Sequence, residues 1–140
     1  MPVTTHAEPG NRFQVLLVID PYVMDEWRTV MLEVLATPEF RRMPALLIDY
    51  RTSHPPTYQF IEAMTDFFGQ HAPELDGANA AIVTCDEASF GMARMTEIKA
   101  ERQNPTLTIH AFRSYAEGTA WLTERTGRSP PGRARPKPAP

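Results

Sequence analysis

The chain lacks most features that indicate a secreted, membrane-spanning or metal-binding protein. It has one cysteine, Cys85, so an internal disulfide is excluded and a reducing, cytoplasmic setting is expected. No run of about 18 apolar residues occurs, so no membrane span is expected. The N-terminus lacks the basic start and apolar segment of a signal peptide. The four histidines do not have the spacing of metal ligands, either with one another or with Cys85, so no metal site is expected. They are His6, His54, His71 and His110.

Charge is unevenly distributed along the chain. The formal net charge is −3, but residues 126–140 contain four basic residues, five prolines and no acidic residue, which leaves −7 for residues 1–125. An acidic domain is poorly suited to phosphate backbones, so no nucleic-acid binding is expected. Proline-rich sequence with few apolar residues buries too little surface to fold, so we predict a domain at 1–125 and a disordered tail at 126–140. This tail either only aids solubility or makes weak contact with an acidic partner.

The stretch from Pro44 to Thr57 organises the predicted fold. It starts with the apolar run Ala45–Ile48, which indicates a strand buried on both faces and ending at Asp49. A polar crossing follows and ends at Pro55-Pro56, which marks a boundary because proline fits neither a helix interior nor a central strand. Sites in open α/β sheets lie beyond the carboxyl ends of strands, so we expect any site at this crossing.

The rest of the chain alternates between strand and helix patterns. Turn chemistry at Pro9-Gly10-Asn11 precedes the apolar run Phe13–Ile19, which predicts a β-hairpin with a poorly defined first arm. Further strands are predicted at 80–85, buried, and at 107–112, half-exposed. Four helices are predicted to open at Asp20-Pro21, Thr57, Asp86 and Ser114. Right-handed crossovers between these elements predict one α/β domain with a mostly parallel sheet.

Several residues at the ends of these elements have specific expected roles. Asp20 is expected to cap the first helix with Pro21 at its first position, and residues 39–43 to form a short connector. Cys85, at a strand end, is expected to be a small buried apolar residue rather than a nucleophile. The final helix is expected to bury Ala120, Trp121 and Leu122.

Three segments carry a family resemblance. They are the strand end Leu46–Arg51, the stretch from Ala81 to Asp86 that runs into Ser89-Phe90-Gly91-Met92-Ala93-Arg94-Met95, and the closing Ile109–Arg113 with Ala120–Leu122. Together they resemble the STAS or SpoIIAA-like group, which has the anti-sigma factor antagonist fold, and F-G-M-A-R-M is similar to an element of uncharacterised bacterial members. The resemblance covers roughly residues 12–123. It implies a mixed, mostly parallel sheet of four or five strands with about four helices, no cofactor and no catalytic centre.

The resemblance also implies a mode of regulation. In classical members a partner kinase phosphorylates a serine in a D-S-S-G sequence after the second long strand, and partner binding is switched off. The corresponding loop here is Asp49–Thr57, where D-S-S-G is absent and Thr52, Ser53 and Thr57 are the candidate acceptors. A phosphate at a helix N-terminus meets free N–H groups, and the alternative role of these hydroxyls is ordinary capping.

We consider three functions, in this order. The first is a non-enzymatic regulatory module that binds a protein partner, such as a kinase or an anti-sigma-like regulator, through the Asp49–Thr57 loop and the adjoining helix. The second is a carrier or sensor whose pocket for a small apolar or lipid-like ligand is lined by residues that otherwise form ordinary core, namely Phe90, Met92 and Met95. The third is an enzyme that uses the strand-end carboxylates of Asp20, Asp49 and Asp86.

Asp49 is the aspartate without an evident capping role, and Arg51 is its expected ion-pair partner. The full set of candidate residues for partner or ligand contact is Asp49, Arg51, His54, Asp86, Phe90, Met92, Arg94 and Met95. Small domains with exposed sheet edges often form twofold dimers, so a homodimer is among the expected assemblies.

Overall fold

The computed structural model describes residues 3–7 and 13–126, and it contains one sheet with helices on both faces. The strands are β1 Val3–Ala7, β2 Gln14–Val18, β3 Ala45–Asp49, β4 Asn79–Val83 and β5 Thr108–Phe112. The helices are α1 Met24–Ala36, α2 Pro38–Arg42, α3 Tyr58–Gln70, α4 Glu87–Gln103 and α5 Tyr115–Arg125. The predicted disordered tail lies outside the described residues except for Thr126. None of the described helices is long and apolar enough to cross a membrane.

The strand order is β1-β2-β3-β4-β5. β1 pairs antiparallel with β2, and every later pair is parallel, which confirms the predicted hairpin and the mostly parallel sheet. β3 lies at the centre, and all five of its residues are buried because helices cover both of its faces. The strands from β2 onward therefore point their carboxyl ends toward the same edge of the sheet.

The two faces of the sheet carry separate apolar clusters. The larger one lies beneath α1, α3 and α4, and its largest fully buried side chains include Trp27, Phe67 and Phe68. The three rings meet edge-on, with centroid separations between 5.3 and 6.4 Å. The smaller cluster joins Leu122 of α5 to strand residues that include Leu47. Because β3 contributes to both clusters, it fixes the position of the crossing that follows it.

The start of the first helix differs from the sequence prediction. α1 begins at Met24, and its N-cap Val23 provides no side-chain hydrogen bond. The prediction that Asp20 caps this helix is therefore wrong, because Asp20 bonds across the sheet edge to His54 instead. Residues 38–42 form the short helix α2, where a connector was expected, because the Thr37 hydroxyl accepts a hydrogen bond from the Phe40 N–H and proline occupies the first turn.

Three helix caps were predicted correctly. Thr57 accepts a hydrogen bond from the N–H of Phe60, Asp86 from that of Ser89, and Ser114 from that of Glu117, at 3.1, 2.8 and 3.1 Å. Local sequence was sufficient in these cases because each cap lies three residues before its donor and just before a helical pattern.

Two burial predictions near the end of the domain are wrong. In α5, Leu122 is fully buried as expected, but Ala120 is exposed and Trp121 is only half-buried. Gly118 shares the inward face with Leu122, since residues four apart lie on the same side of a helix. Cys85 is exposed rather than buried, because β4 ends at Val83 and the chain has left the sheet by residue 85.

Candidate functional site

The crossing between β3 and α3 starts from an ion pair between a buried acid and a partly exposed base. The Asp49 carboxylate is almost fully buried, and it accepts hydrogen bonds from Nε and Nη2 of Arg51 at 3.0 and 2.9 Å and from the Arg51 N–H at 3.0 Å. The expected pairing is confirmed, and these hydrogen bonds raise the pKa of Arg51. The guanidinium carbon of Arg51 also lies 4.4 Å from the ring centroid of Tyr115, so the cation is held on a second side.

Backbone and side-chain contacts hold the first turn of the crossing. The N–H of Tyr50 donates to the Val83 carbonyl at 2.9 Å, and the Ser53 N–H and hydroxyl both lie within hydrogen-bond distance of the Tyr50 carbonyl. The Cys85 thiol lies 3.1 Å from the Arg51 carbonyl oxygen. Tyr50 itself is buried, and this burial raises the pKa of its phenol, with a further contribution from Tyr22. The crossing therefore enters α3 along a defined path.

A second set of contacts comes from the segment after β2. The Asp20 carboxylate accepts a hydrogen bond from the His54 N–H at 2.7 Å and contacts Nδ1 of the same residue. The Tyr22 hydroxyl donates to the His54 carbonyl at 3.0 Å. Partial burial, together with the negative charge of Asp20, raises the pKa of Tyr22 to about 12. The carboxyl ends of β2 and β3 are thus connected through His54.

An open cleft lies beside this connection. Its volume is about 280 Å³, and its lining residues are Asp20, Pro21, Tyr22, His54, Pro55, Thr57 and Phe60. The rings of Tyr22 and Phe60 meet edge-on with centroids 5.1 Å apart. Aromatic and proline surfaces form most of the walls, and Asp20 and His54 place polar groups at the rim. Such a lining suits an apolar side chain with a polar or charged neighbour.

The three candidate phosphate acceptors lie on this crossing in different settings. The side chain of Thr52 is exposed, and Ser53 is half-buried against the Tyr50 carbonyl. Thr57 is exposed, and its hydroxyl already caps α3. The first turn of α3 contains no acidic residue, in contrast to α1, α4 and α5. A phosphate on this crossing would therefore meet a helix whose own first turn adds no negative charge.

The candidate residues of α4 have structural contacts. The Asp86 carboxylate caps the helix and lies 3.9 Å from the Cys85 sulfur. The Phe90 ring lies beneath the guanidinium of Arg113, 3.8 Å from its central carbon. Arg94 is exposed, with its Nε 3.7 Å from a carboxylate oxygen of Glu97. The side chains of Phe90, Met92 and Met95 are partly buried against the larger cluster. None of these three lines the cleft.

The three strand-end aspartates do not share the cleft. Asp20 lines it, whereas Asp49 pairs with Arg51 and Asp86 caps α4. Within the described ranges, no group of three or more histidine, cysteine, aspartate or glutamate side chains is arranged to hold a metal ion.

Sequence reasoning missed Pro21 and Tyr22 as parts of the site. It assigned Pro21 to a helix start and did not consider Tyr22, and it gave Asp20 two roles, as a helix cap and as a strand-end carboxylate. A tyrosine directly after Asp-Pro at a strand end was the available signal, because strand ends of a parallel sheet gather at one edge. The half-buried ring of Phe60, in the first turn of α3, also forms part of the cleft wall.

The strand order, the helices on both faces and the crossing define an α/β domain with a SpoIIAA-like fold, which confirms the expected fold class. A search of solved structures finds an uncharacterised protein of the DUF3478 family with a SpoIIAA-like fold from Shewanella loihica PV-4. The TM-score is 0.56 at 14% sequence identity, and the alignment covers 86% of this chain and 91% of that chain. No family model and no curated protein matches the sequence.

Proposed function

We propose that this domain is a non-enzymatic regulatory module that binds a protein partner through the crossing 49–57 and the adjoining cleft. The supporting observation is that the crossing is fixed from beneath by Asp49 and Asp20 while Arg51, Thr52 and His54 remain exposed. A loop whose backbone is already ordered loses little conformational entropy on binding. The SpoIIAA-like fold fits such a regulatory module.

The cleft supplies an apolar anchor point beside the polar loop. A side chain of the partner that enters between Tyr22 and Phe60 would bury aromatic surface, and neighbouring groups would contact His54 and Asp20. Buried aromatic contacts surrounded by polar groups provide most of the binding energy in many interfaces. The partner class that we propose is a kinase or an anti-sigma-like regulator in the cytoplasm.

We further propose that phosphorylation at Thr52, Ser53 or Thr57 weakens partner binding. A phosphate on Ser53 would add negative charge two residues from Arg51 and would compete with Asp49 for its guanidinium. At Thr57 it would replace a neutral cap by a charged one at the N-terminus of α3. Either change would alter the surface that the partner contacts.

A second candidate function is the binding of a small apolar ligand. The observation in its favour is the aromatic and proline lining of the Tyr22–Phe60 cleft. The site first expected for such a ligand, at Phe90, Met92 and Met95, is less favoured because these side chains pack against the core. An enzymatic role needs two strand-end aspartates in one pocket, and the cleft is lined by Asp20 alone among the three.

Site-specific photo-crosslinking tests the interaction module. A photoreactive residue is placed at Thr52 in the full chain expressed in its host cells, and the matched control carries it at Glu33, an exposed position on α1. The expected result is one protein crosslinked from position 52 and not from position 33. Crosslinking should be lost with Ser53→Asp and retained with Ser53→Ala. Equal crosslinking from both positions, or no effect of Ser53→Asp, would refute the proposed mechanism.

Native mass spectrometry of the protein isolated from the same cells separates the two candidate functions. A mass increase of one phosphate that maps to Thr52, Ser53 or Thr57 supports the regulated module. A bound small molecule on an unmodified chain supports the ligand-binding function, and Phe60→Ala should then abolish its retention.

A further inference from the structure

A second concave surface lies away from the crossing, where α4 runs beside the outer strand β5. This groove has a volume of about 220 Å³, and its walls include Glu97, Ile98, Glu101, Leu107 and Ile109. Ile98 is 52% exposed and presents aliphatic surface at the groove wall. Apolar side chains and two carboxylates therefore lie together, and such a surface fits a segment that is both basic and apolar.

The groove follows the β5 edge of the sheet. The Thr108 N–H donates to the Ala78 carbonyl, and the Thr84 N–H donates to the Phe112 carbonyl. Alternate residues of a strand face opposite sides, so the backbone groups of Ile109 and Ala111 point away from β4. An unpaired strand edge is a template for pairing with another chain unless something covers it.

Glu97 covers one part of this edge. Its carboxylate accepts a hydrogen bond from the Ala111 N–H at 2.5 Å, so a side chain of α4 takes the place of a neighbouring strand. Among the described residues, no group accepts a hydrogen bond from the Ile109 N–H, which lies two residues earlier beside the groove. The unpaired part of the edge therefore lies beside the groove.

We propose that this groove is the docking site of the chain's own basic, proline-rich segment, residues 127–140. The first argument is position. Arg125 at the end of α5 donates to Asn79 Oδ1 at 3.0 Å and to Thr108 Oγ1 at 3.4 Å. Because Thr108 also lines the groove, the segment begins next to the surface on which it docks.

The second argument is reach. The segment has 14 residues, and an extended proline-rich chain advances about 3.1 Å per residue, which gives a span of about 43 Å. The groove wall on α4 runs from Glu97 to Glu101, which is about 6 Å of helix. The segment can pass around the β5 edge and lie along the groove with residues to spare.

The third argument is chemical complementarity. The segment contains four cations and no acid, while the groove offers the exposed carboxylate of Glu101. Glu97, whose carboxylate already accepts from the Ala111 N–H, adds negative charge to the same wall. Arginine stems and proline rings can pack on Ile98 and Pro105 while a guanidinium group pairs with Glu101. Proline has no N–H to extend the ladder, so a proline-rich cover closes the edge without adding a strand that could itself be extended.

The docked segment would close the β5 edge of the sheet. A partner or a second copy could then not pair with that edge. The docking does not depend on the proposed function, because the groove and the cleft share no lining residue.

Solution NMR of the full chain tests the docking. The variant has glutamine in place of Arg128, Arg133, Arg135 and Lys137, and the matched control is Arg41→Gln with Arg42→Gln, two exposed cations on α2. We expect amide shifts at Ile98, Leu107 and Ile109 in the variant, several-fold faster exchange of the Ile109 amide, and no change at Thr52. Glu101→Gln should shift the tail signals, whereas Glu33→Gln on α1 should not.

Zero-length carbodiimide crosslinking then identifies the occupant. The chain has two lysines, so Lys99→Arg leaves Lys137 as the only lysine, and its expected product is a crosslink to the exposed Glu101 within a monomer. Crosslinks only between isotopically distinct copies would overturn the assignment to the same chain. Absence of both the groove shifts and the crosslink would overturn the docking itself, and it would leave the Thr52 crosslinking result unaffected.

Discussion

The guanidinium of Arg51 donates two parallel hydrogen bonds to the carboxylate of Asp49, of 3.0 Å from Nε and 2.9 Å from Nη2. The acid is 4% exposed and the base 42% exposed, so the pair connects the interior of the sheet to its surface. A planar, bidentate contact fixes direction as well as distance. The crossing therefore leaves β3 in one orientation.

Replacing the acid should destabilise the domain. Asp49→Asn keeps the shape but removes the charge-assisted bonds, and we expect a loss of roughly 1.5–3 kcal/mol in the free energy of unfolding. Arg51→Lys should also destabilise the domain, because an ammonium cannot form the two parallel hydrogen bonds with Asp49. Urea unfolding followed by circular dichroism measures both. Values within about 0.5 kcal/mol of the wild type would show that the pair contributes nothing to stability.

Two threonines on the crossing should respond differently to the same substitution. Thr57→Ala removes the hydroxyl that accepts a hydrogen bond from the Phe60 N–H, and it should cost about 1 kcal/mol. Thr52→Ala alters an exposed side chain and should change stability by less than about 0.5 kcal/mol. The comparison is made by thermal and urea unfolding. If Thr52→Ala weakens crosslinking without destabilising the domain, its side chain contributes to recognition.

Two helical glycines form a matched pair for a packing prediction. A Cβ at Gly118 would lie 2.7 Å from Cγ2 of Val83, a buried branched side chain with little freedom to move, so Gly118→Ala should cost about 1–3 kcal/mol. A Cβ at Gly91 would meet nothing within 4 Å, so Gly91→Ala should stabilise α4 by roughly 0.5–1 kcal/mol. Equal effects in urea unfolding would contradict the close approach of α5 to the sheet.

The contribution of Tyr22 to the free energy of unfolding should decrease at alkaline pH. The pKa of its phenol is about 12 in the folded chain against an ordinary value of 10.0, so folding favours the protonated form. The contribution of the protonated phenol to the free energy of unfolding is fully present below pH 10, declines as pH rises from 10 toward 12, and is lost above pH 12. The difference in unfolding free energy between wild type and Tyr22→Phe should therefore shrink across this window.

At neutral pH the same substitution should cost about 0.5–1.5 kcal/mol, because the hydrogen bond to the His54 carbonyl is lost. Because Tyr22 also raises the pKa of Tyr50, the same comparison is made on a Tyr50→Phe background, where this coupling is absent. A difference between wild type and Tyr22→Phe that stays constant up to pH 12 would be inconsistent with the raised pKa.

The sequence was informative where a local pattern carried the whole signal. The apolar run that ends at Asp49 indicated a strand covered on both faces, and its separation from Arg51 by one residue indicated the ion pair. Caps such as Thr57 could be predicted equally well, because a cap and the residue that donates to it are three residues apart. In each case the interacting groups are neighbours along the chain, so no knowledge of tertiary structure was needed.

The other half of the site depended on contacts between distant residues. Asp20 and His54 are 34 residues apart, and nothing in the segment after β2 shows which strand end it will meet. A good local role as a helix cap was available for Asp20, and the tertiary contact overrode it. Cys85 illustrates the same limit, because its exposure depends on β4 ending at Val83, two residues earlier than the apolar pattern indicated.

The uneven covering of the two sheet faces has a consequence for synthesis. Among the described helices, only α5 contributes to the smaller apolar cluster, and it follows all five strands along the chain. As the protein leaves the ribosome, the face with α1, α3 and α4 can close while Phe13, Leu47 and Val83 still lack their cover. Emergence of Leu122 would complete the domain, so a chaperone that recognises exposed apolar strands would have its binding site removed at that step.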